Sequence, residues 1–324
     1  MKKLFIYLPT YNRPNAVRTQ LRALAPQVVK YPSEVRVLVN DNASDSFLFD
    51  EIINEFSQYE NIKFHRNGGN VGANGNTVVG FVLSQPDEFL WLLSDNDIIK
   101  DTAVDYLLQS LDERIDFYCF VDSVKEPVEV DHSWESGWQT VMDWGMGLTS
   151  DAMYNVNTVQ SSIEEGFYYH NSSFPHLAIA CAATKKKGIA KFKLLPRERI
   201  NKEFFPSDEC PTIYSLAQVT MPLLVSLFPP SEAKSFSLMW LSKHGVDMYR
   251  NRKLHYHLYL QSRATLAYYG GWRAKVLLMW MWPVYIVAVP LINIRQSLIR
   301  IAKKYLSTST VQKLKKFREI IRTK

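Results

Sequence analysis

The stretch Phe89-Leu90-Trp91-Leu92-Leu93-Ser94-Asp95-Asn96-Asp97 decides the fold. Its run of apolar residues, closed by polar turn residues, is the pattern of a strand buried on both faces. Such strands belong to parallel sheets covered by helices on each side. The run stops at two carboxylates, Asp95 and Asp97, spaced i, i+2. Ligands of open α/β sheets bind outside the carboxyl ends of the strands. Ser94–Asp97 is therefore the first place to look for chemistry, and the ends of the other strands are the next.

The same unit repeats on either side. Leu4–Leu8, Val35–Val39, Ile62–His65 and Phe117–Val121 predict further strands. Between them, Val17, Leu21 and Leu24 recur at helical spacing. So do Phe49, Ile52, Ile53 and Phe56, then Val78, Val79 and Val82, then Val104, Leu107, Leu108 and Leu111. Repeated β-α-β with short connections predicts an α/β domain, a mainly parallel sheet with helices on both faces. Residues 1–121 form the ligand-binding half of this domain, and 122–242, richer in Trp, Tyr, Ser and Asn, a second half. Trp134, Trp138 and Trp144 in that second half either line a sugar site, pack in the core or anchor a loop.

Charge sets the last part apart. The 324 residues are 47% hydrophobic and 22% charged with a net charge of +6, a composition that folds around a core. Lys243–Lys324 holds 17 basic and two acidic residues, +15, whereas Met1–Ser242 holds 21 basic and 30 acidic, −9. A nucleic-acid binder spreads its basic charge over the folded domain, so nucleic acid is not an expected partner. Here the charge flanks an apolar run, Val276–Ile294, interrupted by Pro283, Pro290 and Asn293. Two prolines and basic flanks fit a broken, half-embedded segment better than a span. Beyond it Val311, Leu314, Phe317 and Ile321 share one helical face amid lysines and arginines, the pattern of a helix lying on an anionic membrane surface. A soluble helical hairpin packed on the domain is the competing reading. Residues 243–324 are thus expected to be a helical membrane-associating region. Leu4–Leu8 is too short for a secretory signal and reads as the first strand of a cytoplasmic domain, peripheral or monotopic at the inner face of the plasma membrane. Cys119, Cys181 and Cys210 show no CxxC spacing and read as structural thiols in a reducing compartment.

Four strand ends carry candidate chemistry. After the first strand come Pro9-Thr10-Tyr11-Asn12-Arg13, a turn able to hold a base or ribose against its backbone. After the second comes Asp41-Asn42-Ala43-Ser44-Asp45. Asp41 is placed to accept from an imide N–H or a ribose hydroxyl, and Ser44 or Asp45 to cap the next helix. After the third, Arg66–Asn76 carries four glycines where a helix opens, so backbone can approach a ligand closely. This is not the dinucleotide fingerprint, which places its glycines after the first strand. After the fourth, Asp95 and Asp97 can reach one hard cation, Mg2+ or Mn2+, that keeps positions open for diphosphate oxygens. A polar turn before a helix is the plain structural alternative.

In order, spacing and placement these motifs resemble the GT-A nucleotide-sugar domain of family 2 glycosyltransferases. Pro9–Arg13 is similar to that family's first-strand motif, Asp41-Asn42-Ala43-Ser44 to its D-[DN]-[GA]-S turn, Asn70-Val71-Gly72 to its G-N-x-G segment, and Ser94–Asp97 to its D-x-D site. The resemblance implies a GT-A fold, a nucleoside-diphosphate-sugar donor, a divalent metal and a saccharide acceptor, lipid-linked or free. The donor-binding residues it implies are Pro9, Thr10, Tyr11, Asn12, Arg13, Asp41, Asn70, Gly72, Asn76, Asp95 and Asn96. Family members often read D-A-D-D where this chain has Ser94-Asp95-Asn96-Asp97, which leaves Ser94 at the first acidic position and Asn96 at the second. On that register Asp97 is the expected first metal ligand, and Asp95 the second ligand or a sugar contact.

One departure concerns the catalytic base. Many inverting members carry Glu-Asp in the second half, and none follows Asp97 here. In that place stands Phe174-Pro175-His176, which resembles a subgroup similar to abequosyltransferases of O-antigen assembly. Three readings of His176 stand open: base, ligand contact, or cap of the following helix. Asp151 is the reserve candidate for the base. The expected activity is inverting, hexosyl-type transfer. Against it stand a non-catalytic sugar-binding module, which would tolerate loss of the metal site, and a sugar nucleotidyltransferase, which would need a glycine-rich loop after the first strand that Leu8–Pro14 lacks.

Overall fold

The computed structural model describes residues 3–45, 48–135, 149–204, 219–251 and 256–305, the side chains of 202–204, 250 and 282–305 excepted. Trp138, Trp144, Cys210 and the expected helix around 311–321 lie outside the described residues.

Eight strands form one sheet in the order β3-β2-β1-β4-β8-β6-β9-β7. They are β1 (Lys3–Thr10), β2 (Val35–Asp41), β3 (Ile62–Arg66), β4 (Glu88–Leu92), β6 (Phe117–Val121), β7 (Val128–Ser133), β8 (Ala152–Asn155) and β9 (Ile189–Pro196). β1, β2, β3 and β4 are parallel, as are β6 and β9. β8 runs antiparallel between β4 and β6, and β7 antiparallel on the edge. A two-stranded ribbon pairs β5 (Asp97–Ile99) with β10 (Asn201–Phe204) beyond the end of β4.

The alternation of side chains along each strand explains the near-continuous apolar runs. Leu4, Ile6 and Leu8, with Phe89, Trp91 and Leu93, pack on one face against α1 (Pro14–Val28) and α4 (Ala103–Ser110). Phe5 and Tyr7, with Leu90 and Leu92, pack on the other face beside Phe81 of α3 (Gly72–Val82) and Leu177 of α7 (Pro175–Lys187). Both faces are covered, so both parities must be apolar. α2 (Asp50–Phe56), α5 (Val156–Val159) and α6 (Ile163–Tyr168) complete the helices around the sheet. Cys119 and Cys181 are buried free thiols, and burial pushes the Cys181 thiol up. Trp134 packs against the core, with the Lys185 ammonium 5.2 Å from its ring centroid.

Far from the strands' carboxyl ends, Asp116 anchors the start of β6. It is 2% exposed and accepts from Lys187 Nζ at 2.6 and 2.7 Å, Thr158 Oγ1 at 2.6 Å and the Lys191 backbone N–H at 2.8 Å. One carboxylate thus ties together β6, β9 and the ends of two helices. Asp116→Ala leaves these donors unpaired, and unfolding in urea should show a loss of about 3 kcal/mol.

Beyond the sheet, α8 (Pro230–Asn251) and α9 (Tyr256–Tyr305) pack on each other through Leu241, Met248, Tyr259, Leu266, Ala274 and Leu278. The break expected at Pro283 and Pro290 falls elsewhere: α9 departs from helical angles at Gly271, with φ 65° and ψ −153°. Only glycine adopts that conformation at low cost. Among the described residues no helix is long and apolar enough to cross a membrane.

Candidate active site

The turns that follow β1, β2, β3 and β4 lie side by side at the carboxyl ends of adjacent parallel strands. In the first turn Asn12 has φ 52°, a left-handed conformation that asparagine tolerates. Its N–H donates to Ser44 Oγ at 2.7 Å, and its Oδ1 accepts from the Asp45 N–H at 3.1 Å. This reciprocal clasp fixes the first turn to the second. Ser44 and Asp45 are therefore not the helix caps expected from sequence, because α2 begins only at Asp50, with Phe49 at its cap position. Ser44 also donates its N–H to Asp41 Oδ1 at 3.0 Å, and its hydroxyl bonds the same carboxylate. Arg66 Nη1 donates to Asp41 Oδ2 at 3.0 Å. Asp41, 6% exposed, thus stands with its direction fixed by three donors.

An asparagine ladder holds the third turn. Asn42 donates to Asn70 Oδ1 at 2.9 Å and accepts from the Val71 N–H at 3.0 Å, and Asn70 Oδ1 also accepts from the Gly72 N–H at 2.8 Å. Gly72 has φ 77°, which a side chain would strain. Asn76 lies below this loop at 2% exposure. Its Oδ1 accepts from Asn67 Nδ2 at 3.0 Å, and its Nδ2 donates to the Asn40 carbonyl at 3.2 Å. Asn76 is placed to support the loop, while Asn70, Val71 and Gly72 are exposed at its crest. Tyr11 is likewise exposed and Pro9 half-buried.

The fourth turn carries the carboxylates. Asp95 is 5% exposed and accepts from Thr10 Oγ1 at 2.8 Å and Arg13 Nη1 at 3.0 Å, so the first turn supplies both donors. The Ser94 hydroxyl bonds Asn96 Oδ1, and the Ser94 N–H donates to Ser150 Oγ at 2.9 Å. Ser94 and Asn96 thus close the turn. Asp97 is 3% exposed, and its backbone pairs with Phe204 in the ribbon. Burial, with the charge of Asp95 adding to it, pushes the Asp97 carboxyl up to about 6, against a lowering by the Ser150 hydrogen bond and Arg197.

Asp151 joins this group from the far side. It ends the 3-10 turn Thr149–Asp151 that leads into β8, and it is 1% exposed. Burial pushes its carboxyl up to about 7. Arg197 pulls it down, and Asp97 and Asp122 push it further up. Arg197 follows the end of β9. Its Nη2 donates to Asp151 Oδ2 at 2.8 Å and to the Phe120 carbonyl at 3.1 Å, and its Nη1 lies 3.5 Å from Asp122 Oδ2. His176 is 1% exposed in the first turn of α7, its ring centroid 6.2 Å from that of Phe174. The charge of Asp151 is coupled to that of Asp97.

Arg197 was not among the residues expected from sequence. The signal was present: it is the residue after a strand, as the motifs at the ends of β1 to β4 are. Arg197→Gln removes the fork that fixes Asp151 and should cut turnover by roughly 10²-fold through lost positioning, with Arg197→Lys only partly restoring it. Steady-state rates of the two variants beside wild type check this.

The sequence pattern of glycosyl transferase family 2 matches residues 5–167. This chain belongs to that family. The family 2 glycosyltransferase shares its GT-A fold with S. aureus TarS. The TarS 1-349 structure in complex with UDP-GlcNAc superposes with a TM-score of 0.60 at 14% identity, over 88% of each chain. A longer S. aureus TarS chain gives 0.58 at 14% identity over 88% of this chain and 53% of that one, so the enzyme spans about half that protein's length. Mannosyltransferase PcManGT from Pyrobaculum calidifontis, in complex with GDP-Man and Mn2+, gives 0.53 at 10% identity over 88% and 87%. At such identities the likeness is one of fold. No curated protein matches the glycosyltransferase in sequence.

Proposed function

We propose that this glycosyltransferase moves a sugar from a nucleoside-diphosphate sugar to a membrane-borne saccharide, with inversion and with a divalent cation. The observation that carries the reading is the gathering of buried carboxylates at and beside the fourth turn. Asp95, Asp97 and Asp151 are each 5% exposed or less, Asp95 paired with Arg13 and Asp151 with Arg197, and the charges of Asp97 and Asp151 oppose each other. A Mg2+ or Mn2+ held there would offset that carboxylate charge. Among the described residues no group of three or more His, Cys, Asp or Glu side chains is arranged to hold a metal. The donor set would be the carboxylate pair of one turn, Asp95 and Asp97, and a hard cation takes one or two carboxylates with diphosphate oxygens completing its shell. Asp97 would be the first ligand, and Asp95, already held by Thr10 and Arg13, the second ligand or a sugar contact. When bound, the cation supplies charge neutralisation at the leaving nucleoside diphosphate.

The chain's own groups do the rest. Asp41, fixed by Ser44 and Arg66, accepts a hydrogen bond from the base or ribose. Pro9–Arg13 and the Asn70-Val71-Gly72 crest border the donor. Asp151 takes the proton from the acceptor hydroxyl, and a carboxyl titrating near neutrality suits that task. Arg197 keeps it aimed. Phe174-Pro175-His176 supports placing the enzyme in bacterial surface polysaccharide or O-antigen assembly. The −9 and +15 division of charge supports a site of action at the cytoplasmic face of a membrane, where a lipid-linked acceptor presents its head group.

The test is nucleotide release from a panel of nucleoside-diphosphate sugars with Mn2+ or Mg2+ and without. Release from one donor, dependent on cation, is the expected result. A rate insensitive to chelation would remove the metal from the reading.

A further inference from the structure

The face of α9 that does not meet α8 is built for contact, although no element of the described chain covers it. Beyond the break at Gly271, Ala274, Leu278 and Met281 are buried. Trp272, Val276 and Trp280, at four-residue steps on the other side of this segment, are exposed at 71%, 41% and 62%. Met279, 73% exposed, adjoins the same stripe. A helix apolar on its inner and outer faces needs a partner on each.

Charge identifies the outer partner. Arg273 and Lys275 are exposed beside the stripe, and the Arg273 guanidinium lies 5.6 Å from the Trp272 ring centroid. No acidic residue occurs between Asp247 and Glu319. A second copy seated on this face would bring basic groups against basic groups, because a two-fold contact sets each patch on itself. An anionic bilayer meets every requirement: tryptophan and tyrosine favour the head-group level, and arginine and lysine favour lipid phosphates.

We propose that Trp272, Val276 and Trp280 form the face by which the enzyme rests on an anionic lipid surface, with Arg273 and Lys275 on the phosphates. The inference rests on the reading that the acceptor is membrane-borne, and it adds the surface that does the docking. Both tryptophans are exposed, so the double variant Trp272→Ser/Trp280→Ser should keep the wild-type melting temperature.

The experiment is co-sedimentation of the full chain with phosphatidylcholine vesicles with and without phosphatidylglycerol, beside nucleotide release in solution. Wild type should pellet with the anionic vesicles. The double variant should need at least about tenfold more lipid, the loss expected from withdrawing two large side chains from the interface. Arg273→Gln/Lys275→Gln should weaken binding to anionic vesicles alone. Unchanged pelleting of the tryptophan variant overturns the proposal. So does a self-association of wild type that the variant abolishes without any change in lipid binding. Docking through this face with no nucleotide release from any donor would leave the surface standing and remove the proposed activity. Release without docking would do the reverse.

Discussion

Asp97→Ala is expected to lower sugar transfer by roughly 10³-fold and to abolish the dependence of nucleotide binding on Mn2+, with the fold intact. The size follows from a Lewis-acid contribution of several kcal/mol to a charged leaving group. The fold should survive because Asp97 has a buried carboxyl whose ionisation is opposed by its surroundings, being pushed up to about 6. Losing such a group relieves a cost of burial. A structural carboxylate such as Asp116 behaves oppositely, since its removal orphans several donors. Turnover, manganese-dependent nucleotide binding by calorimetry, and melting temperature together check this. Wild-type turnover in the variant would refute the assignment of Asp97.

Asp151→Asn is expected to cost roughly 10³-fold in kcat/KM, within the range for loss of a general base. His176→Asn, a change at a buried position beside Phe174, should cost far less. Wild-type kcat/KM should rise with pH as Asp151 ionises, because only the ionised carboxylate accepts a proton, and burial raises that step above the ordinary aspartate range. Stability of the ligand-free protein should move the other way. Asp97 and Asp151 titrate in the folded chain above the ordinary aspartate value of 3.8, so between those values the folded chain binds more protons than the unfolded one. Their contribution is fully present below about pH 4 and is lost as pH rises through about 6 and 7. A proton held over one pH unit is worth about 1.4 kcal/mol, so the decline spans several kcal/mol. The two sites interact, so their contributions do not simply add. Asp151→Asn should flatten the fall in melting temperature between pH 5 and 8, and an unchanged slope would contradict a carboxylate origin for that fall.

The donor side of the site was legible because each motif follows a strand whose burial writes itself as an apolar run. Val35–Val39 extends in the structure to Asp41, and Phe117–Val121 matches β6 residue for residue. The acceptor side was hard to read for physical reasons. β8 has only four residues and takes its place through its neighbours' hydrogen bonds, with no run or alternation of its own. β9 alternates lysine with apolar residues and resembles an exposed edge, although it lies between two strands. Arg197 was lost with it. Asp151 had only reserve standing because it precedes its strand. In an antiparallel strand the beginning, not the end, reaches the functional edge. The expectation that Ser44 or Asp45 caps a helix failed because the turn is longer than its composition suggests. Its polar groups are spent on Asp41 and Asn12.

The placement of β8 has a consequence for modularity. A strand from residues 152–155 sits between β4 and β6, both drawn from the first 121 residues. Neither stretch can close the sheet by itself, since the earlier one has a gap at its centre and the later one supplies the filler. The two stretches are thus interlaced at β8 and β6. A chimera that exchanges either stretch for a homologue's must rebuild the seam at Leu90–Tyr154 and Tyr118–Met153. New specificity is more readily reached by altering the turns at the sheet's rim than by shuffling halves of the chain.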